Sequence, residues 1–265
     1  MKPILTVLFL LFFFEFAHSQ NTVLTVLGNL QDGGSPHLGC TKSCCLEKAE
    51  TKKVVALGWQ HISEGTTYLF EATPDMVSQI AYLQTFPEGI FLTHAHIGHY
   101  TGLMYLGREV LGAKNVPVYA LPKMKYFLEQ NGPWSQLVNL RNIIIKPLTA
   151  GKEHLIHTDM TVLPIQVPHR DEYSETVGYI LAGSQKKALF IPDIDKWEKW
   201  TDLIEDWIAK VDYAFLDGTF YDAAEVNNRP ISEIPHPFIV ESLNRFSNLA
   251  TTEKNKIYFI HLNHT

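Results

Sequence analysis

The stretch Thr93-His94-Ala95-His96-Ile97-Gly98-His99 places three imidazoles within six residues, directly after the apolar run Gly89-Ile90-Phe91-Leu92. Alternate residues at the end of a strand share a face, so His94 and His96 can aim the same way, and a following turn brings His99 beside them. Neutral imidazole is the commonest protein metal ligand. A single histidine on an apolar face is usually a satisfied core residue, but three at this spacing predict a metal site.

Outward from this cluster the chain alternates strands and helices. Before it, Thr22 to Leu27, Lys53 to Leu57 and Thr67 to Glu71 read as strands of β-branched and apolar residues, and Pro74 to Leu83 as a helix with proline in its first turn. Between the first two lies the turn-rich Gly28 to Pro36, a loop able to approach a ligand closely; its glycine spacing fits neither the P-loop nor the dinucleotide fingerprint. After the cluster come helix Leu103 to Leu111, strand Val116 to Ala120, helix Pro122 to Glu129, and strands Asn142 to Lys146, Met160 to Val167, Thr176 to Leu181 and Ala188 to Ile191. Helix Thr201 to Lys210, strand Tyr213 to Leu216, helix Phe238 to Leu249 and strand Lys256 to Ile260 complete the order. Strand runs in both halves, interleaved with helices, predict two sheets packed face to face with helices outside.

Polar residues recur where these strands end: His169 after Met160 to Val167, Asp193 after Ala188 to Ile191, Asp217 after Tyr213 to Leu216, and His261 with His264 after the last. Sites built on loops held by a rigid sheet have this layout. Each residue also has a structural explanation: Asp193 or Asp195 as a helix cap, with Glu198 completing a capping box from Asp195, and Asp217-Gly218 as a turn.

Composition narrows the class. Lys2, the apolar Ile4 to Phe14 and Ala17-His18-Ser19 read as a signal peptide over 1–19, too short for a spanning helix and interrupted by Glu15, so the mature chain is expected to be secreted or periplasmic with no stable membrane anchor. About 245 residues remain, and with 46% hydrophobic residues and no linker, 20–265 reads as a single domain. The net charge of −6 and the absence of a basic patch exclude an electrostatic footprint for nucleic acid. Cys40, Cys44 and Cys45 are the only cysteines, consistent with one disulfide and a leftover thiol or with a small metal site using a fourth ligand such as His37. Nothing in the sequence fixes the oligomeric state.

The ordered histidines and aspartate resemble the metallo-β-lactamase fold superfamily. Its HxHxDH signature matches His94, His96 and His99 but departs at Gly98, where the family has Asp; its later ligands match His169 in Val167-Pro-His-Arg-Asp171, Asp193 in Phe190-Ile-Pro-Asp193, and His261 in Phe259-Ile-His-Leu-Asn-His264. Within the superfamily the chain is most similar to the coenzyme PQQ synthesis protein B family, through Gly33-Gly-Ser-Pro-His-Leu-Gly-Cys40, Glu71-Ala-Thr-Pro-Asp75, Asp217-Gly-Thr-Phe220 with Glu225, and His261-Leu-Asn-His-Thr265. Related sequences are expected to run on past this motif, so a C-terminal truncation is expected.

The resemblance implies an α+β fold, an αββα sandwich of two packed β-sheets with outer helices. It implies a first zinc site from His94, His96 and His169 and a second from His99, Asp193 and His261, with Asp193 bridging. A bound metal lowers the pKa of water to about 7, so the implied activity is hydrolysis of a small-molecule ester, lactam, lactone or phosphodiester by a metal-bound hydroxide. His264 is expected to assist the leaving group. Gly98 removes a ligand and a negative charge, which predicts one tight zinc and a second that is labile or absent, with Asp171 as a candidate replacement. A quinone-like carrier without hydrolysis, or an Fe-dependent redox protein, is the alternative, since a His-rich site with one carboxylate also suits iron. Trp59, Tyr100, Trp134, Tyr173 and Phe220 are candidate pocket walls, with core packing the alternative for each.

Overall fold

The computed structural model describes residues 21–46, 52–226 and 230–265; the signal-peptide reading lies outside them. Among the described residues, twelve strands form two six-stranded sheets. The first orders β1 (Thr22–Gly28), β2 (Ala56–His61), β3 (Thr66–Phe70), β4 (Gly89–Phe91), β5 (Val116–Ala120) and β6 (Ile143–Pro147) as written; the second orders β12 (Ile257–Ile260), β11 (Tyr213–Asp217), β10 (Lys187–Ile191), β9 (Thr176–Ala182), β8 (Met160–Val167) and β7 (His154–His157). In each sheet, antiparallel strands at one side give way to parallel ones: β3 to β6 in the first, β10 to β12 in the second. This is the expected αββα arrangement.

Helices cover the outer faces. Among the described residues the helices are α1 (Ser43–Leu46), α2 (Met76–Leu83), α3 (Ile97–Tyr100), α4 (Pro122–Gln130), α5 (Trp134–Asn139), α6 (Ile204–Ile208), α7 (Ile239–Arg245) and α8 (Thr251–Lys254), of which α1 buries no residue and α3 lies at the strand ends. Three apolar layers result. The middle one, between the sheets, holds Leu57, Trp59, Phe70, Phe91, Tyr179 and Phe190. Phe91 stacks on Phe70 at 4.7 Å and on Tyr119 at 4.3 Å, and meets the Tyr179 ring edge-on at 5.8 Å. Each fully buried aromatic contributes about 1.5–3 kcal/mol through burial. Among the described residues no helix is long and apolar enough to cross a membrane.

Helices α1, α3, α5 and α8 were not expected, and three further differences from the sequence expectation have a plain cause. The strand expected at Lys53 to Leu57 begins only at Ala56, because residues 53–55 serve the loop after β1: Asn29 and Leu30 N–H donate to the Lys53 carbonyl, and Val54 N–H donates to Asp75 at 2.8 Å. The helix expected over Leu103 to Leu111 is a 3₁₀ segment, Thr101–Leu106. β7 was not expected, since His154-Leu-Ile-His157 is a short edge strand whose Leu155 faces solvent.

Candidate metal centre

The parallel strands of both sheets run the same way, and their C-terminal ends meet at one rim of the sandwich. His94, His96 and His99 follow β4, and Glu71 follows β3; His169 follows β8, Asp193 follows β10, Asp217 ends β11 and His261 follows β12. The six residues expected as ligands converge there, and His94, His99, His169, Asp193 and His261 are buried. Donor atoms group as His94, His96, His169 and Asp193; as Asp32, His99 and His261; and as Asp193, Asp217, His236 and His261. Asp193 is common to two of these groups. Its carboxylate lies 3.3 Å from His94 Nε2, 3.3 Å from His169 Nε2, and 3.9 Å from His99 Nε2 and His261 Nε2.

Each imidazole turns one nitrogen inward, with a hydroxyl or carboxylate standing behind the other. Thr93 Oγ1 donates to Glu71 Oε1 at 2.5 Å, so its contact with His94 Nδ1 at 2.9 Å places the proton on Nδ1 and leaves Nε2 a lone pair. Thr219 repeats this relay on the other sheet, donating to Asp217 Oδ1 at 2.7 Å and standing 2.8 Å from His261 Nδ1. Glu71 Oε1 faces His99 Nδ1 at 3.1 Å, Asp195 Oδ1 faces His169 Nδ1 at 3.2 Å, and Glu172 faces His96 Nε2 at 3.2 Å, which leaves His96 Nδ1 inward. Partners behind a ligating histidine fix its tautomer and raise its basicity. Glu71 holds this place at φ 79°, a conformation that costs a non-glycine residue energy and that the fold sustains at a fully buried carboxylate.

The inward atoms fit a cation. His99 Nε2, His169 Nε2, His261 Nε2 and Asp193 Oδ1 are buried with no hydrogen-bond partner, a cost that a bound metal removes. The charges here interact strongly, and a metal would take the place of the protons that His99 and His169 hold. Burial would raise the Asp193 carboxyl, yet the charges of His169, His236 and His261 hold it well below the usual range. Burial, then the charge of His99, pushes His94 well below its ordinary value and leaves it neutral. Burial would lower His169, but Asp193 and Asp195 carry it to about 9.

Asp32 is the residue that the sequence did not reveal. It lies in the turn-rich loop after β1, with Oδ1 3.1 Å from His99 Nε2 and accepting from Gly98 N–H at 3.1 Å. Burial would raise its carboxyl; the hydrogen bond and charge of His99 outweigh this and hold it far below. The available signal was the loop itself, read as able to approach a ligand. Asp171, the candidate replacement for the acid absent at position 98, instead accepts from Thr176 Oγ1 at 2.9 Å and joins none of the groups.

His236, between Pro235 and Pro237, is a second residue that the strand-end pattern leaves out. Its Nδ1 lies 3.1 Å from Asp193 and 2.9 Å from Asp217, and although burial would lower it, those carboxylates carry it to about 10. Asp217, read as a turn residue, is fully buried behind Thr219 and His236. His264 stands apart, stacked on His37 at 4.3 Å with Nδ1 3.0 Å from Asn263 Oδ1. No disulfide links Cys40, Cys44 and Cys45, whose sulfurs form a separate group near His37 N–H.

A cavity of about 330 Å³ opens beside the centre, walled by Asp32, His37, Arg170, Phe220, His236 and His261 among others. Of the expected wall residues only Phe220 lines it. Trp59 lies in the middle core, Tyr100 and Trp134 pack with Phe127 in an outer layer, and Tyr173 is exposed.

The model of the β-lactamase superfamily domain matches residues 66–262. The chain belongs to the β-lactamase superfamily. Solved structures with the β-lactamase superfamily fold include Zn²⁺-bound PqqB from Methylobacterium extorquens, at 18% identity, TM-score 0.73, and 91% of this chain against 89% of that one. A diphosphatase of the PhnP family aligns at 21% identity and TM-score 0.63, covering 92% and 87%. The short form of human tRNase Z aligns at 16% identity and TM-score 0.58, covering 91% and 92%. These likenesses establish the shared fold. No curated protein sequence matches the chain.

Proposed function

We propose that the protein is an exported, metal-dependent hydrolase of a small-molecule ester, lactam, lactone or phosphodiester, secreted or periplasmic, with no nucleic-acid partner. The carrying observation is the set of buried, inward-facing donor atoms without hydrogen-bond partners at the meeting edge of the two sheets. His94, His96 and His169 would hold one metal and His99, His261 and Asp32 a second, with Asp193 between them. Zinc is the proposed metal, because sets of histidines with a carboxylate suit it and can leave a position for water. Bound divalent metals supply a water-derived nucleophile near neutral pH and neutralise charge developing on the substrate oxygen.

The chain's own groups then orient and hold. Arg170, whose Nη2 lies 3.4 Å from His96 Nδ1, brings positive charge to the cavity wall, and cationic His236 adds more. Both favour a substrate carrying an anionic group, and Phe220 gives it an apolar surface. The Glu71–Thr93–His94 and Asp217–Thr219–His261 relays keep the donor nitrogens unprotonated.

The test is a zinc-loaded substrate panel of bis(4-nitrophenyl) phosphate, 4-nitrophenyl acetate, a β-lactam and an acyl lactone. Turnover of at least one class is expected, with His94→Ala and His169→Ala losing both metal and turnover. Unchanged turnover in either variant would overturn the reading. The alternative of a carrier of a quinone-like ligand drew on Gly98, in whose place Asp32 now stands, and that of an Fe-dependent redox protein drew on a His-rich site with one carboxylate. A ligand retained through purification with silence across the panel would restore the carrier, and iron in protein from the native host the redox protein.

A further inference from the structure

At the opposite end of the sandwich, a second cluster of ligating side chains joins the two sheets. His61 ends β2, Glu64 lies in the β2–β3 turn, His157 ends β7 and Asp159 precedes β8. The first two belong to one sheet and the last two to the other. Donor atoms of His61, Glu64 and His157 fall within 4.8 Å of one another. The two rings are 4.4 Å apart, His157 Nε2 lies 2.8 Å from Glu64 Oε2, and Asp159 Oδ1 lies 3.3 Å from His61 Nε2 and 3.6 Å from His157 Nδ1.

Orphaned atoms set this cluster apart. Among the described residues, ten buried side-chain polar atoms lack a hydrogen-bond partner: five belong to His99, His169, Asp193 and His261, and three more are His157 Nδ1 and both carboxylate oxygens of Asp159. Ring nitrogens that stand near a carboxylate without the angle of a hydrogen bond are not satisfied by it. The catalytic rim and this cluster share that signature, and in both it surrounds histidines and acids. Glu64 is exposed, so solvent reaches the group, while His61 is buried at its floor.

We propose that His61, Glu64 and His157 bind a divalent transition cation of the zinc type, with Asp159 completing or orienting the set, as a staple across the base of the sandwich. Two imidazoles with carboxylates and no sulfur suit Zn²⁺ and disfavour Mg²⁺ and Ca²⁺, which prefer all-oxygen sets. The neighbouring bond from Tyr68 Oη to the Ile156 carbonyl at 2.7 Å already ties β3 to β7, so the ligands are held in place before the ion arrives. A cation there would act on stability and stand apart from the chemistry at the far rim.

The test compares zinc-saturated, gel-filtered wild type with His157→Ala by elemental analysis and thermal melting. One zinc equivalent fewer is expected in the variant, together with a smaller drop in Tm on adding chelator. Cobalt substitution separates this site from the cysteine group: the wild-type minus variant spectrum should lack thiolate-to-cobalt charge transfer. Should His157→Ala fail to fold, Glu64→Gln alters an exposed side chain and should weaken the same equivalent at least tenfold. Equal zinc content and equal chelator response in wild type and variant would overturn the proposal and leave an ordinary histidine–carboxylate cluster. No readout depends on turnover, so failure here is distinguishable from failure of the hydrolase reading.

Discussion

Asp32 occupies the space that any side chain at position 98 would need: a Cβ on Gly98 would fall 2.6 Å from the Asp32 Cα and collide with its carboxylate. Glycine at 98 and aspartate at 32 are therefore one arrangement. Asp32→Ala should lower affinity for a second zinc by about tenfold or more while the first is retained, read by elemental analysis and cobalt spectra. Gly98→Ala should do the same without touching a ligand, by displacing the Asp32 loop. The double variant should be no worse than either single one, because both remove the same carboxylate; additive losses would argue against the coupling.

The two threonine relays predict a matched pair of effects. Thr93→Val removes the hydroxyl between Glu71 and His94, and Thr219→Val the one between Asp217 and His261. Each should weaken metal binding about 10–100-fold. Competition against a chromophoric chelator measures this, with Thr→Ser restoring most of the loss.

His236→Gln should leave metal content near wild type and lower kcat, because the cation between Asp193 and Asp217 disappears while the imidazoles of the centre stay in place. A loss confined to metal content would instead make His236 a ligand.

Away from the rim, Arg245 forks onto Glu205 with contacts of 2.7 and 3.0 Å, pinning α7 to α6. Burial would raise the Glu205 carboxyl, but the Arg245 hydrogen bonds and charge hold it below its ordinary 4.5. A lowered folded-state pKa stabilises above the unfolded value and is lost as pH falls through the folded one. Glu205→Gln should thus cost about 0.5–1 kcal/mol at pH 7, given partial exposure, and less at an acidic pH below 4.5. Urea unfolding at both pH values checks it.

The centre was legible where chemistry and chain order coincide. His94, His96 and His99 are adjacent in sequence, and His169, Asp193 and His261 each follow an apolar strand, so strand endings alone brought them together. Asp32 was not legible, because it reaches Gly98 across 66 residues of sequence through the approach of a loop, and the sequence at 98 reads only as a missing acid. His236 was hidden in the same way by its two prolines, which advertise a turn and say nothing of what the turn delivers. Glu71 is a third case: its role depends on a backbone conformation that no residue pattern announces.

The arrangement of ligands on two separate sheets has one more consequence. His94, His96, His99 and Asp32 are carried by the first sheet, and His169, Asp193 and His261 by the second, so the aromatic layer around Phe70, Phe91 and Tyr179 sets how far apart the backbones that carry the two half-sets stand. That layer is a spacer gauge for the metal centre. Trimming one of its rings changes the calibre of the site from a distance, without altering a single donor atom.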